Sequence, residues 1–251
     1  MSSLVTTQRV VSGHGMGQLS VINRSKSDSQ TGACADELPD ASSAQRIGLF
    51  GGTFDPVHFG HLRPAVELAE MFELDTLFLL PNHRPVHRGP ARASTPMRIA
   101  MLELAIAHSP QLAIDAREAI LDQPSYTVNT LSDIHASNSG ATLLFFMGLD
   151  AFAKYDTWHE YEQILDLANL VVIQRPEASH SSFSSKLLAR QQAKFGCDIR
   201  DGHAGVIAEC EVTQLAISST DVRRRIGSQL SVRFLLPDVV SEYIDAQGLY
   251  I

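Results

Sequence analysis

Residues 46–251 predict a doubly wound, Rossmann-like α/β fold, a mostly parallel sheet with helices on both faces. Three observations carry this expectation. Apolar runs such as Ile47–Phe50, Thr142–Met147 and Leu170–Ile173 suit strands buried on both faces. Segments with apolar residues at helical spacing separate those runs, as crossover helices do in a parallel sheet. A strand-to-helix turn rich in glycine and histidine sits at the end of the first run, where open α/β sheets bind ligands.

Ile47-Gly48-Leu49-Phe50 reads as the first strand, and it leads into the turn Gly51–His61. The helix behind the turn is apolar at Leu62, Ala65, Val66, Leu68, Ala69 and Phe72. Adjacent Gly51 and Gly52 let the backbone approach a phosphate closely, and the helix start offers free N–H groups and positive dipole. Asp55-Pro56 forces a turn. His58 and His61 are spaced to face the same side. Two imidazoles over such a turn suit stabilisation of charge on a phosphoryl group. The competing reading is a tight turn with two incidental surface histidines.

Thr76–Leu80 reads as a second strand, ended by Pro81-Asn82. The loop from His83 to Pro90 is basic and braced by proline. Thr95 as N-cap and Pro96 at the first helical position start a helix to about His108, with its stripe at Met97, Met101, Leu104 and Ala105. Leu112–Asp115 is a third strand, and Ser125 caps a helix over Thr127–His135. Gly148-Leu149-Asp150 ends the strand Thr142–Met147. Short helices at Ala151–Tyr155 and Glu160–Ala168 then flank Thr157-Trp158-His159. Residues 176–205 are polar and read as an insertion with one helical stretch near Ser185–Ala193. Glu211–Leu215 is expected as the last strand. A helix opens at Ile217–Thr220 and runs through Ile226, and Pro237–Gln247 closes the chain, stopped by Gly248. Right-handed crossovers put the loops at 51–61, 81–90, 148–159 and 216–220 on one sheet edge.

Residues 1–45, rich in Ser, Thr, Gln and Gly, read as a flexible tail before a single domain at 46–251. The net charge of −8 argues against nucleic-acid binding. No run is long enough to cross a membrane. Lysines are scarce, so an anion site must use Arg, His and backbone N–H groups. Cys34, Cys197 and Cys210 are far apart, which suits a reducing cytoplasm with no disulfide framework. The histidines lack carboxylates or cysteines at clear ligand spacing, so no protein-held metal is expected.

His58-Phe59-Gly60-His61, within Gly-Gly-Thr-Phe-Asp-Pro-x-His-x-Gly-His, resembles the signature of the nucleotidyltransferase α/β-phosphodiesterase superfamily. Read alone, Ser218, Ser219 and Thr220 with Arg223 one turn on are either a phosphate clamp or an ordinary Ser-capped helix. Together with Ile217 they resemble that superfamily's Ile-Ser-Ser-Thr-x-x-Arg motif. Within it, residues 46–251 resemble the bacterial-type nicotinate-nucleotide adenylyltransferase family. The likeness rests on Phe54-Asp55-Pro56-x-His58, Pro81-Asn82 through Pro85-x-His87-Arg88, Ser125-Tyr126-Thr127, Thr157-Trp158-x-Glu160-Tyr161-Glu162 and the ending Gly248-Leu249-Tyr250. Residues 1–45 and 176–205 depart from the family pattern.

The resemblance implies adenylyl transfer from ATP to nicotinate mononucleotide, with Mg²⁺ carried on ATP. It implies that His58 and His61 contact the phosphates, and that Gly51, Gly52, Thr53 and Phe54 line the ATP cleft. Asp150 would meet the ribose of adenosine, and Ile217, Ser218, Ser219, Thr220 and Arg223 would hold the triphosphate. Asn82, His87 and Arg175 would lie near the mononucleotide's phosphate and ribose. Trp158 would stack on the pyridine ring, with Thr127 and the His159 backbone receiving its carboxylate. Each also has a plainer reading: Trp158 as a packing anchor, His87 in a solvated basic loop, Arg175 as a surface charge, Thr127 as a helix-start residue.

Nicotinamide mononucleotide or phosphopantetheine are alternative acceptors, although the Trp158 and Thr127 segments argue against the latter. A class I aminoacyl-tRNA synthetase core shares a similar His-x-Gly-His turn, but the chain has no Lys-rich loop and no room for a tRNA-binding domain. A non-catalytic nucleotide sensor would be expected to lack one of the groups His58, His61 and Arg223. The sequence does not set the oligomeric state.

Overall fold

The computed structural model describes residues 44–82, 91–120, 125–174, 194–195 and 199–251. The expectations for the tail 1–45, the loop 83–90 and the insertion 176–205 fall largely outside them. His87 and Arg175 lie outside the described residues.

The strands are β1 (Arg46–Gly52), β2 (Thr76–Pro81), β3 (Leu112–Ile114), β4 (Thr142–Gly148), β5 (Asn169–Gln174), β6 (Lys194–Phe195) and β7 (Val206–Glu211). They form one sheet in the order β3-β2-β1-β4-β5-β7-β6, with each pairing parallel. Sequence order reverses between β1 and β4, which pair from Arg46↔Thr142 to Phe50↔Phe146. In open α/β sheets, ligands bind at the carboxyl ends of the strands at such a switch point.

Side chains alternate between the two faces along each strand. Leu144 and Phe146 join the core under α1 (Phe59–Met71), α2 (Thr95–Ile106), α7 (Ser219–Gly227) and α8 (Asp238–Gln247). Leu143, Phe145 and Met147 join the opposite core, under α4 (Thr127–Ser137), α5 (Leu149–Phe152) and α6 (Tyr161–Leu167). A further short helix, α3, spans Arg117–Ile120 and was not anticipated.

Four local expectations are corrected. The last strand is Val206–Glu211, not Glu211–Leu215. Its sequence alternates, with Glu209 and Glu211 exposed, and that half-polar pattern reads as surface rather than buried strand. The α2 N-cap is Ser94, which accepts from Met97 N–H at 3.4 Å, and Thr95 is already helical. The buried stripe of α2 is Arg98, Met101, Leu102 and Ile106, while Leu104 is exposed. Tyr126, not Ser125, holds the N-cap position of α4, with no side-chain cap.

Candidate active site at the switch point

After β1 the chain makes a tight turn over Thr53–His58, with Phe54 in left-handed conformation. Phe54 is buried and folds back over Gly52, where a Cβ would come within 2.7 Å of the ring. Its edge meets His61 at 5.0 Å, and His61 stacks on His58 at 3.8 Å. The imidazole pair is thus set by the turn's own packing.

His58 occupies the N-cap position of α1. It is buried, and its Nδ1 has no hydrogen-bond partner among the described residues. Burial lowers its pKa from 6.5 to about 4, so the ring is neutral at pH 7. It can therefore serve a phosphate as a hydrogen-bond donor rather than as a fixed cation. Two N–H groups at this helix start are already used: Phe59 N–H donates to Leu235 O at 3.0 Å and His61 N–H to His58 O at 2.8 Å. The expected row of open donors is correspondingly shorter.

The second motif meets this turn directly. Ser219 Oγ donates to Pro56 O at 3.0 Å, and Arg223 Nη1 donates to Asp55 O at 2.6 Å. A Cβ on Gly60 would lie 2.9 Å from His58 Nδ1 and 3.1 Å from Ile217 O, so only glycine lets the two loops close to this distance. Ser218 caps α7 by accepting from Asp221 N–H at 3.1 Å, and Thr220 Oγ1 accepts from Arg223 Nη2 at 3.2 Å. Arg224 and Arg225 are both paired with Asp221. Arg223 is thus a stitch between the loops as well as a cation beside the turn.

On the other flank, Asn82 N–H donates to Gly52 O at 3.0 Å, and its side chain lies beside Gly51. Arg98, fully buried, holds both strand ends: Nη1 donates to Thr53 O at 2.6 Å, and Nη2 to Asn82 O and Thr95 Oγ1. Asp55 is also buried, and its carboxylate accepts from Arg92 N–H, Ala93 N–H and the Tyr250 hydroxyl. Sequence reasoning assigned no site role to Arg98 or Tyr250, and gave Asp55 only a turn. An arginine inside an apolar helical stripe was the one available signal.

Across the switch point, Asp150 is exposed in the first turn of α5. Trp158 is half-buried, edge-on to Phe145 at 6.2 Å and tilted against Tyr155 at 6.0 Å, so it does pack. The Tyr126 ring lies 4.4 Å from that of His159, which brings the segment before Thr127 to the Trp158-His159 segment. Behind α4, Thr130 Oγ1 donates to the buried Glu118 at 2.8 Å, and burial raises that carboxyl's pKa. Burial also pushes the Cys210 thiol up to about 11, so it carries no nucleophilic thiolate. Among the described residues, no three His, Cys, Asp or Glu side chains group to hold a metal ion. None of the described helices is long and apolar enough to cross a membrane.

Comparisons with known proteins agree with this architecture. The Cytidylyltransferase-like family model matches residues 49–225. A protein of Pseudomonas paraeruginosa named "Probable nicotinate-nucleotide adenylyltransferase" is 46% identical over 209 residues, covering 82% of this chain and 97% of its own. One of the same name from Cellvibrio japonicus is 43% identical over 207 residues, covering 81% and 98%. Among solved structures, Plasmodium falciparum nicotinic acid mononucleotide adenylyltransferase complexed with NaAD superposes with a TM-score of 0.63 at 16% identity. That superposition covers 82% of this chain and 97% of the other, and it shows a shared fold.

Proposed function

The chain belongs to the Cytidylyltransferase-like family and, within it, to the nicotinate-nucleotide adenylyltransferases, and on that premise we propose how its site works. It is a nucleotidyltransferase that moves the adenylyl group of ATP to nicotinate mononucleotide, a step of NAD biosynthesis. The mononucleotide's 5′-phosphate oxygen attacks the α-phosphorus in line, the bond from that phosphorus to the bridging oxygen breaks, and pyrophosphate leaves. A phosphate monoester is already anionic near pH 7, so no dedicated base is needed. The barrier falls through positioning and through donors aimed at the developing charge.

His58 and His61 supply those donors at the α-phosphate. Gly51, Gly52, Thr53 and Phe54 line the ATP side. Ile217, Ser218, Ser219, Thr220 and Arg223 hold the triphosphate, and Asp150 meets the ribose. Asn82, Thr127, Trp158 and His159 serve the mononucleotide, and the family resemblance assigns the same task to His87 and Arg175, which lie outside the described residues. Mg²⁺ would arrive on the triphosphate and offset its charge. The buried acid of the turn fits that view, because both Asp55 oxygens already accept protein donors. Cytoplasmic placement accords with three scattered cysteines.

The observation that carries this reading is the closure of the Ile217–Arg223 corner onto the Asp55–Gly60 turn, through Ser219 and Arg223. A pyrophosphate-release assay with ATP and Mg²⁺ tests it against nicotinate mononucleotide, nicotinamide mononucleotide and phosphopantetheine. Nicotinate mononucleotide is expected to give the highest kcat/KM. Faster turnover of another acceptor would reassign the substrate, and ATP binding without pyrophosphate release would make the protein a sensor.

A further inference from the structure

The last residues of the chain reach back to the phosphate turn. Helix α8 stops at Gly248, whose φ of +60° reverses the backbone, and Leu249 N–H closes the end on Ile244 O at 3.0 Å. That reversal carries Tyr250 inward, while Ile251 beyond it is 93% exposed. The buried Tyr250 hydroxyl donates to Asp55 Oδ1 at 2.7 Å, across 195 positions of sequence. Its carbonyl lies against the far end of α7, where a Cβ on Gly227 would sit 3.3 Å away. Tyr250 thus touches both the turn and the helix that carries Arg223.

Asp55 is the hub of this contact. Its carboxylate takes Arg92 and Ala93 N–H from the segment before α2, and lies 3.7 Å from Arg223 Nη1. Its own carbonyl takes the Arg223 guanidinium at 2.6 Å. A small swing of the Asp55 side chain would therefore shift the turn and Arg223 together. Burial and the neighbouring carboxylate both raise the Tyr250 pKa above the ordinary phenol range, so the hydroxyl keeps its proton.

We propose that Tyr250 is a positioning residue for the triphosphate half of the site, acting through Asp55 on Arg223 and the His58 turn. The inference rests on the ATP reading above. It concerns the triphosphate half first: Arg223 is bonded to Asp55 directly, whereas Asn82 is linked to it through the Arg98 guanidinium.

Tyr250→Phe keeps the ring and removes only the donor. Calorimetric titration with ATP, without turnover, is expected to show a Kd raised about ten-fold, the scale of a hydrogen bond to a charged group. In steady state, KM for ATP rises in step, while KM for nicotinate mononucleotide stays within about two-fold. Ile251→Ala is the control and leaves both constants unchanged. Should Tyr250→Phe fail to fold, Asp55→Asn strips the charge from the acceptor of that bond and from the Arg223 pairing, and is expected to raise the ATP Kd by more than about ten-fold with the same split between the two KM values. An unchanged ATP Kd, or both KM values rising together, would overturn the proposal. A wild-type protein that binds ATP without releasing pyrophosphate would sink the transfer reading and leave the Kd comparison to decide this one.

Discussion

At the residue scale, His58 combines two demands that ordinarily conflict. In the proposed mechanism it offers an N–H to a phosphate, yet it is buried against Gly60 and stacked on His61 at 3.8 Å. Burial resolves the conflict by holding the ring neutral, with its pKa lowered from 6.5 to about 4. Between those values an unfolded chain binds a proton that the folded ring refuses. Stability should therefore fall as pH drops from 6.5 towards 4, by up to about 3 kcal/mol for this residue. His58→Asn puts a favoured N-cap residue at a position where His58 makes no side-chain cap bond, and should flatten that dependence. Urea midpoints measured from pH 4 to 7 give the comparison, and parallel curves for the two proteins would refute the buried neutral imidazole.

The imidazole pair and the Ser218 cap were legible from spacing alone, because their partners lie within one or two turns of chain. Asp55, Arg98 and Tyr250 were not. Their partners stand 37, 45 and 195 positions away, and no local pattern encodes a bond at such range.

At the element scale, α2 shows how a polar group can reset a helix face. The apolar spacing pointed to Met97 and Leu104, yet the helix is turned so that Arg98 enters the core. Its guanidinium donates to the part-buried carbonyls of Thr53 and Asn82, just beyond the ends of β1 and β2. Desolvation lowers its pKa, yet three oxygens accept its N–H groups. Arg98→Met should cost at least about 3 kcal/mol, because the carbonyls lose charged donors and nothing replaces them. Denaturant unfolding reads this directly, and a loss under about 1 kcal/mol would show that the strand ends need no such anchor.

Buried strands were the readiest elements to read, since β1, β2, β4 and β5 are almost wholly apolar. Strand β7, which lies between β5 and the short edge strand β6, escaped because exposed Glu209 and Glu211 break the run. Helix starts slipped by a residue at α2 and α4, where the residue before the expected cap takes the position in one case and the residue after it in the other.

At the scale of the whole molecule, the strand order places β1 and β4 side by side, so the loops that follow them leave the same end of the sheet at its switch point. Convergence of distant loops was expected from crossover handedness, and it holds for 51–61 with 216–220 through Ser219, Arg223 and Gly60. What the topology rule could not supply is the clamp that fixes their separation: Asp55, gathered from three other segments. The same rule explains why a fold at 16% identity superposes on this one while the side chains that stitch it were unreadable from sequence.

Two loops that serve one triphosphate, as proposed for this site, are required to be energetically coupled. A double-mutant cycle on kcat/KM for ATP, with His61→Ala, Arg223→Ala and the pair, measures that coupling. Each single change should lower kcat/KM by about 10²–10³, the scale of losing one donor to developing charge. The double variant should fall short of the product of the two losses by more than about 0.5 kcal/mol, as groups acting on one ligand do. Strict additivity would place the imidazole and the guanidinium on separate tasks and contradict the shared site.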